Sequence, residues 1–173
     1  MLRERFIDAG STCHAHARRI LALLLAQDGS TTRLCETIAG GRIELRLQHQ
    51  APTIDVPAAV HESLPGTRFI ERITSLAAHG QVMMDNLTYI ALDGLDASLQ
   101  NELEAGLTPI GHMLARMWVQ RETMPASDLL HERLWDAVGL PDRGATRTYR
   151  IVTPEGPRML IVETYRRGML MQR

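Results

Sequence analysis

The chain has 173 residues, a formal net charge of −1 and 45% hydrophobic residues. This length suits one domain with a substantial core, so we expect residues 1–173 to form a single domain. The near-neutral charge gives no indication of a surface that binds nucleic acid or an acidic membrane. All 19 basic residues are arginine, and the lack of lysine excludes a Schiff-base lysine, a pyridoxal-phosphate anchor and a P-loop lysine.

The two cysteines, Cys13 and Cys35, form no C-x-x-C motif and no disulfide scaffold. Reduced thiols are typical of cytoplasmic proteins, so we predict a cytoplasmic location. The longest early apolar run, 20–26, is too short to cross a bilayer, and no signal-peptide cleavage site follows it. We therefore expect no membrane insertion.

Hydrophobic periodicity and turn residues predict two helices and then a strand in the first part of the chain. A helix over 12–27 stops at Asp28-Gly29, and a second begins at Ser30 or Thr31 and ends at Gly40-Gly41. The clean alternation over 42–48 predicts a strand with a buried face formed by Ile43, Leu45 and Leu47.

The rest of the chain predicts hairpins with helices between them. The stretch 49–67, with three prolines, is either a functional lid or an unrecognised element. Two strands over 68–76 and 81–92 come next, and the last two strands, 146–152 and 159–165, form a hairpin. Between these pairs we predict helices from Asp96 to about Glu104, from Thr108-Pro109 and over 126–138, and a strand over 117–122. Strands joined mostly by hairpins indicate an α+β fold with an antiparallel sheet rather than a Rossmann order.

Glu163 is the one carboxylate in the most apolar strand. Burial of a carboxylate is energetically unfavourable unless the group forms an ion pair or has a functional role. Alternation places it on one face with Ile161 and Tyr165, and the other face carries Leu160, Val162 and Thr164. Two interpretations are open. Glu163 is either a functional group in a pocket or the partner of an arginine in the preceding strand, Arg147 or Arg150.

Strand alternation predicts that the side chain of Arg72 points inward. It shares a face with Ile70, Thr74 and Leu76, and an inward guanidinium needs an anion. That anion is either a ligand or a protein carboxylate, for which Glu163 and Asp85 are the candidates.

Two helix starts are candidate anion sites. Thr108-Pro-Ile-Gly111 has Thr108 as the expected N-cap and Pro109 at the first helical position, which leaves the N–H groups of Ile110 and Gly111 free. Such donors suit a carboxylate, although most helix starts bind only water or their own cap. Gly29-Ser-Thr-Thr32 is a second start of the same kind.

No metal site is predicted. Cys13, His14 and His16 fall on different helix faces, and the chain has no H-E-x-x-H motif. It also has no P-loop, no G-x-G-x-x-G and no G-x-S-x-G.

Three blocks, taken in order, resemble the chorismate pyruvate-lyase (4-hydroxybenzoate synthase) family. Residues 23–33 resemble its leucine-rich helix and Gly-Ser-x-Thr turn, residues 108–111 its Pro-Leu-Gly helix start, and residues 147–165 its final hairpin ending in a strand with glutamate. The resemblance implies an antiparallel sheet with helices and flap-like segments over a buried ligand. It also implies a cofactor-free lyase that converts chorismate to 4-hydroxybenzoate and pyruvate.

By the same resemblance, Glu163 and Arg72 are expected to be catalytic. Thr31, Arg72, Ile110 and Glu163 are expected to bind the substrate. Two alternatives stay open. The fold also resembles effector-sensing domains of bacterial transcription regulators, which bind small acids without turning them over, and a lyase of this type could form another hydroxybenzoate isomer.

Overall fold

A computed structural model describes residues 1–7 and 14–170. In this described part, six strands form one antiparallel sheet in the order β1-β2-β3-β6-β5-β4. The strands are β1 (Glu44–Thr53), β2 (Phe69–Ala78), β3 (Gln81–Ala91), β4 (Gln120–Thr123), β5 (Thr146–Thr153) and β6 (Gly156–Tyr165). The helices are α1 (His14–Ala26), α2 (Thr31–Ala39), α3 (Ala58–Ser63), α4 (Ala97–Ala105), α5 (Ile110–Leu114) and α6 (Asp128–Val138).

The predicted α+β class with an antiparallel sheet is confirmed. The single domain over 1–173 stays a prediction, because residues 8–13 and 171–173 lie outside the described part. The beginning of the first predicted helix, 12–27, and the Cys13 thiol also lie outside it.

Two predicted elements differ from the structure, both around the proline-rich stretch. β1 continues to Thr53 instead of stopping at 48, because it is an edge strand, where Pro52 is tolerated. The predicted connection 49–67 contains α3, which begins directly after Pro57. The edge position also explains why Leu47, predicted to be buried, is 45% exposed.

Helices cover both faces of the sheet, and one face carries two separate apolar clusters. α3 and α6 pack on the face that includes Phe69, Leu87 and Val162. On the opposite face, one cluster joins α1 and α2 to Leu76, Met84 and Tyr165. The second cluster joins α4 and α5 to Ile70, Ile90 and Ile161.

A row of polar side chains crosses the sheet between these two clusters. Thr74 of β2 lies beside Asn86 of β3, Asn86 lies beside Glu163 of β6, and Glu163 lies beside Arg147 of β5. Directly paired residues of antiparallel strands point to the same face, so all four side chains face the same helices. We call these four residues the polar row.

A second buried charge cluster joins both ends of the described chain to the sheet. Asp85 and Arg166 are fully buried and form an ion pair at 2.7 Å, and Arg3 approaches the same carboxylate at 3.1 Å. The Ser75 hydroxyl donates a hydrogen bond to Asp85 at 2.5 Å. Asp85 is therefore neutralised by residues from opposite ends of the sequence.

Replacing Arg166 by Met should lower the free energy of unfolding by about 3–5 kcal/mol, because it removes the main counter-charge of a buried carboxylate. Denaturant unfolding measures this loss. Arg3→Met is the matched control and should cost less, because the Arg3 side chain is 21% exposed. Equal losses for the two variants, or no loss for Arg166→Met, would contradict the assignment.

Candidate functional site

A cavity opens above the polar row, where the two apolar clusters meet. It has about 420 Å³ of empty space, a figure that includes open solvent. Thr74, Asn86 and Glu163 of the polar row contribute to its lining. The apolar part of the lining consists of Leu45, Leu76, Met84, Ile110, Leu114 and Ile161.

The beginnings of α2 and α5 meet at the edge of this cavity. A Cβ atom added to Gly111 would lie 2.2 Å from Oγ1 of Thr32, so the close approach of the two helices requires a glycine. α2 begins at Thr31, one of its two predicted first residues, and Ser30 is its N-cap, since the N–H of Arg33 donates to Oγ of Ser30. Farther along the two helices, Nε2 of His112 in α5 lies 2.8 Å from Oε1 of Glu36 in α2.

The prediction that Thr108 caps α5 is wrong. The N-cap residue is Pro109, and it forms no side-chain cap hydrogen bond. The carbonyl oxygen of Thr108 instead accepts a hydrogen bond from Nη2 of Arg72 at 3.0 Å.

Glu163 is 3% exposed and is held by an ion pair. Its Oε2 accepts hydrogen bonds from Nε and Nη2 of Arg147 at 3.0 and 2.9 Å, and from the Thr31 hydroxyl at 2.9 Å. Its Oε1 accepts one from the Tyr149 hydroxyl at 2.7 Å. Of the two interpretations, the partnership with an arginine of the preceding strand describes this residue, and the partner is Arg147 rather than Arg150.

The Arg147 guanidinium lies against two tyrosine rings. Its Cζ is 4.8 Å from the ring centre of Tyr149 and 5.5 Å from that of Tyr165. Although burial disfavours its charged form, the Glu163 carboxylate raises the pKa of Arg147 overall. Burial, and then the charge of Glu163, raise the pKa of both tyrosines, so their hydroxyls stay protonated donors at neutral pH.

Arg72 is fully buried but is not among the residues that line the cavity. Its Nη2 donates to the carbonyl oxygens of Gly106 at 3.4 Å and Thr108 at 3.0 Å, which fixes the loop before α5. Its Nε and Nη1 have no hydrogen-bond partner within residues 1–7 and 14–170. Burial lowers its pKa. The two carboxylates considered for it, Glu163 and Asp85, are paired with Arg147 and Arg166 instead.

The structure therefore brings three of the four predicted ligand residues together. Thr31, Ile110 and Glu163 line one cavity, and Arg72 lies outside its lining. Sequence reasoning missed Arg121 and Tyr149, which also line it. Strand alternation could have indicated that Arg121 points inward. Arg121 lies on the same strand face as Val119, and Val119 packs against the second apolar cluster.

Within the described ranges, no group of three or more His, Cys, Asp or Glu residues is arranged to hold a metal ion. None of the helices there has the length and apolar composition needed to cross a membrane.

Comparisons with known proteins give similarity at the level of fold. No family model and no curated protein matches the chain. The C-terminal domain of the histidine utilization repressor from Pseudomonas syringae pv. tomato str. DC3000 is similar, with a TM-score of 0.50, 8% identity, and 76% of this chain and 96% of that chain covered. This similarity shows a shared fold.

Two further solved structures have lower TM-scores. One is the ligand-binding domain of a protein from Bordetella bronchiseptica assigned to the GntR family of transcriptional regulators, with a TM-score of 0.44 and 15% identity, covering 72% of this chain and 83% of that chain. The other is a GntR-family transcriptional regulator from Enterococcus faecalis V583, with a TM-score of 0.43 and 11% identity, covering 75% of this chain and 97% of that chain.

The prediction of a chorismate pyruvate-lyase is wrong. The solved structure that shares this fold is the C-terminal domain of a repressor. The geometry supplies a physical reason. Of the two residues expected to be catalytic, Glu163 forms an ion pair with Arg147, and Arg72 does not line the cavity.

Replacing Gly111 by Ala should force the beginnings of α2 and α5 apart and lower the free energy of unfolding by about 1–3 kcal/mol. Gly41→Ala is the control, because a Cβ there meets nothing within 4 Å. Denaturant unfolding of both variants measures the difference. A Gly111→Ala variant as stable as Gly41→Ala would show that the helices can separate without cost.

Proposed function

We propose that this domain binds a small aromatic acid and does not turn it over. The observation that carries the proposal is the cavity, which combines apolar walls with the buried charge of the polar row. Binding sites for small molecules typically have mostly apolar walls and a few well-placed polar groups. The fold of a repressor's C-terminal domain is compatible with a sensing role, by analogy of fold alone.

The walls suit a flat apolar body. Leu76 and Met84 come from the cluster under α1 and α2, while Leu114 and Ile161 come from the cluster under α4 and α5. A ring placed between them would be buried on both sides, and burial of apolar surface is the main favourable contribution to such binding.

The polar row offers the ligand an acceptor. Oε1 of Glu163 accepts a hydrogen bond from Tyr149, and a carboxylate oxygen has capacity for a second. We propose that a ligand hydroxyl donates to this oxygen and that Thr31 and Ile110 complete the contacts. Arg72 contributes from outside the lining, through its positive charge and the loop that it holds in front of Ile110.

The lack of turnover in this proposal rests on how Glu163 is engaged. Its two oxygens receive hydrogen bonds from Arg147, Thr31 and Tyr149, and the Arg147 contact is an ion pair. A carboxylate held by three protein donors serves as a hydrogen-bond acceptor, for the protein and for a ligand hydroxyl.

Calorimetric titration with 4-hydroxybenzoate should show saturable binding to one site, with a Kd below about 1 mM, equivalent to about −4 kcal/mol. Thr74→Phe should abolish this binding, because Thr74 is a buried residue of the cavity lining and the ring would fill the space. The matched control is Thr123→Phe, at an exposed position of β4.

Thermal unfolding of both variants checks that each is folded. Two results would count against the proposed function: no saturable binding of either 4-hydroxybenzoate or benzoate by the unmodified protein, or unchanged binding by a folded Thr74→Phe variant.

Incubation of the protein with chorismate should release no pyruvate above the rate of the protein-free reaction, as followed by an enzymatic pyruvate assay. The physical reason is the commitment of Glu163 to Arg147. Heat-unfolded protein serves as the control. Pyruvate release that rises in proportion to the concentration of folded protein would overturn the non-catalytic part of the proposal.

A further inference from the structure

We infer that Arg121 binds the acidic group of the ligand. This inference rests on the proposed function and deepens it, because it assigns the residue that selects an acid over a neutral molecule. Arg121 lies on β4, the edge strand opposite β1.

The sheet register turns Arg121 toward the cavity. Arg121 is paired with Ile151 of β5, and Ile151 belongs to the apolar cluster on the cavity side of the sheet. The neighbouring pair points the other way, where Arg150 and Glu122 form an ion pair at 2.7 Å. Two arginines on adjacent strands therefore have different surroundings, one neutralised and one facing the cavity.

Arg121 has an unused donor in the cavity wall. Its Nη1 donates to the carbonyl oxygen of Asp28 at 3.3 Å, which holds the side chain against the turn before α2. Its Nε is buried and has no acceptor in the described part of the chain. A buried donor of this kind is unfavourable until water or a ligand accepts its hydrogen bond, and a carboxylate is the acceptor that a guanidinium binds most strongly.

The other arginines near the cavity are placed differently. Arg147 is neutralised by Glu163, and Arg72 lies outside the lining. Among the residues that line the cavity, Arg121 is the cation, and it forms no ion pair with any described carboxylate. It is therefore the group best placed to compensate a ligand's negative charge.

Tyr149 connects the two polar ends of the cavity. Its hydroxyl donates to Glu163, and its own side chain lines the cavity together with Arg121. A ligand with a hydroxyl at Glu163 and a carboxylate at Arg121 would span the ring of Tyr149. This arrangement favours an aromatic hydroxy acid, whose two groups lie at opposite ends of one ring.

The test compares 4-hydroxybenzoate with the neutral 4-hydroxybenzamide, which has a similar shape, by calorimetric titration. The unmodified protein should prefer the acid by at least about tenfold. Arg121→Met should weaken binding of the acid by roughly ten- to hundredfold, the range of a charge-assisted hydrogen bond, and weaken binding of the amide by less. Arg150→Met is the matched control, since it removes the same charge from the other face and should keep the preference.

The outcomes separate this inference from the proposed function. If the unmodified protein binds the acid, Thr74→Phe abolishes binding and Arg121→Met keeps the preference for the acid, the assignment of Arg121 is overturned and the proposed function stands. Equal losses in Arg121→Met and Arg150→Met also overturn it, because they would reflect overall charge. If the unmodified protein binds neither compound, both proposals fail.

Discussion

The ion pair between Glu163 and Arg147 is the interaction on which the site depends. It sits in a row of polar side chains between two apolar clusters, where an unpaired charge would be strongly unfavourable. Arg147 also donates to the carbonyl oxygen of Gln27, and Thr31 donates to Glu163, so the pair fixes the turn and the beginning of α2 on the sheet. The cavity exists because helices on either side pack against their own clusters and leave this row partly uncovered.

The same pair bears on the correction of the lyase prediction. Glu163 receives hydrogen bonds from Thr31, Arg147 and Tyr149, so both of its oxygens have protein partners. Resemblance to a lyase family was a sound guide to the sheet and its helices and a poor guide to activity. Function depends on the few side chains in the cavity, and those can change while the fold stays the same.

Local features were predictable from the sequence, and partnerships were not. The inward faces of Arg72 and Glu163 follow from alternation alone, and Ser30 and Gly40 mark the ends of α2 as expected. By contrast, the choice of Arg147 over Arg72 as the partner of Glu163 depends on strand order, which joins residues far apart in sequence. Arg121 was not predicted as a site residue, because its strand is short and lies at an edge of the sheet. α3 escaped notice because six residues among prolines carry little periodic signal.

The strand order has a consequence for how the chain acquires its structure. β6 lies between β3 and β5, although it follows both along the sequence. Until it inserts, each of those neighbours has an unpaired inner edge, and Arg147 and Asp85 lack the charges that Glu163 and Arg166 later supply. Pairing between strands that are far apart in sequence slows folding. Before β6 is in place, the unpaired strand edges can pair with other chains and lead to aggregation. The position of β6 between its two neighbours thus completes the sheet and brings Glu163 and Arg166 to the two buried charge clusters.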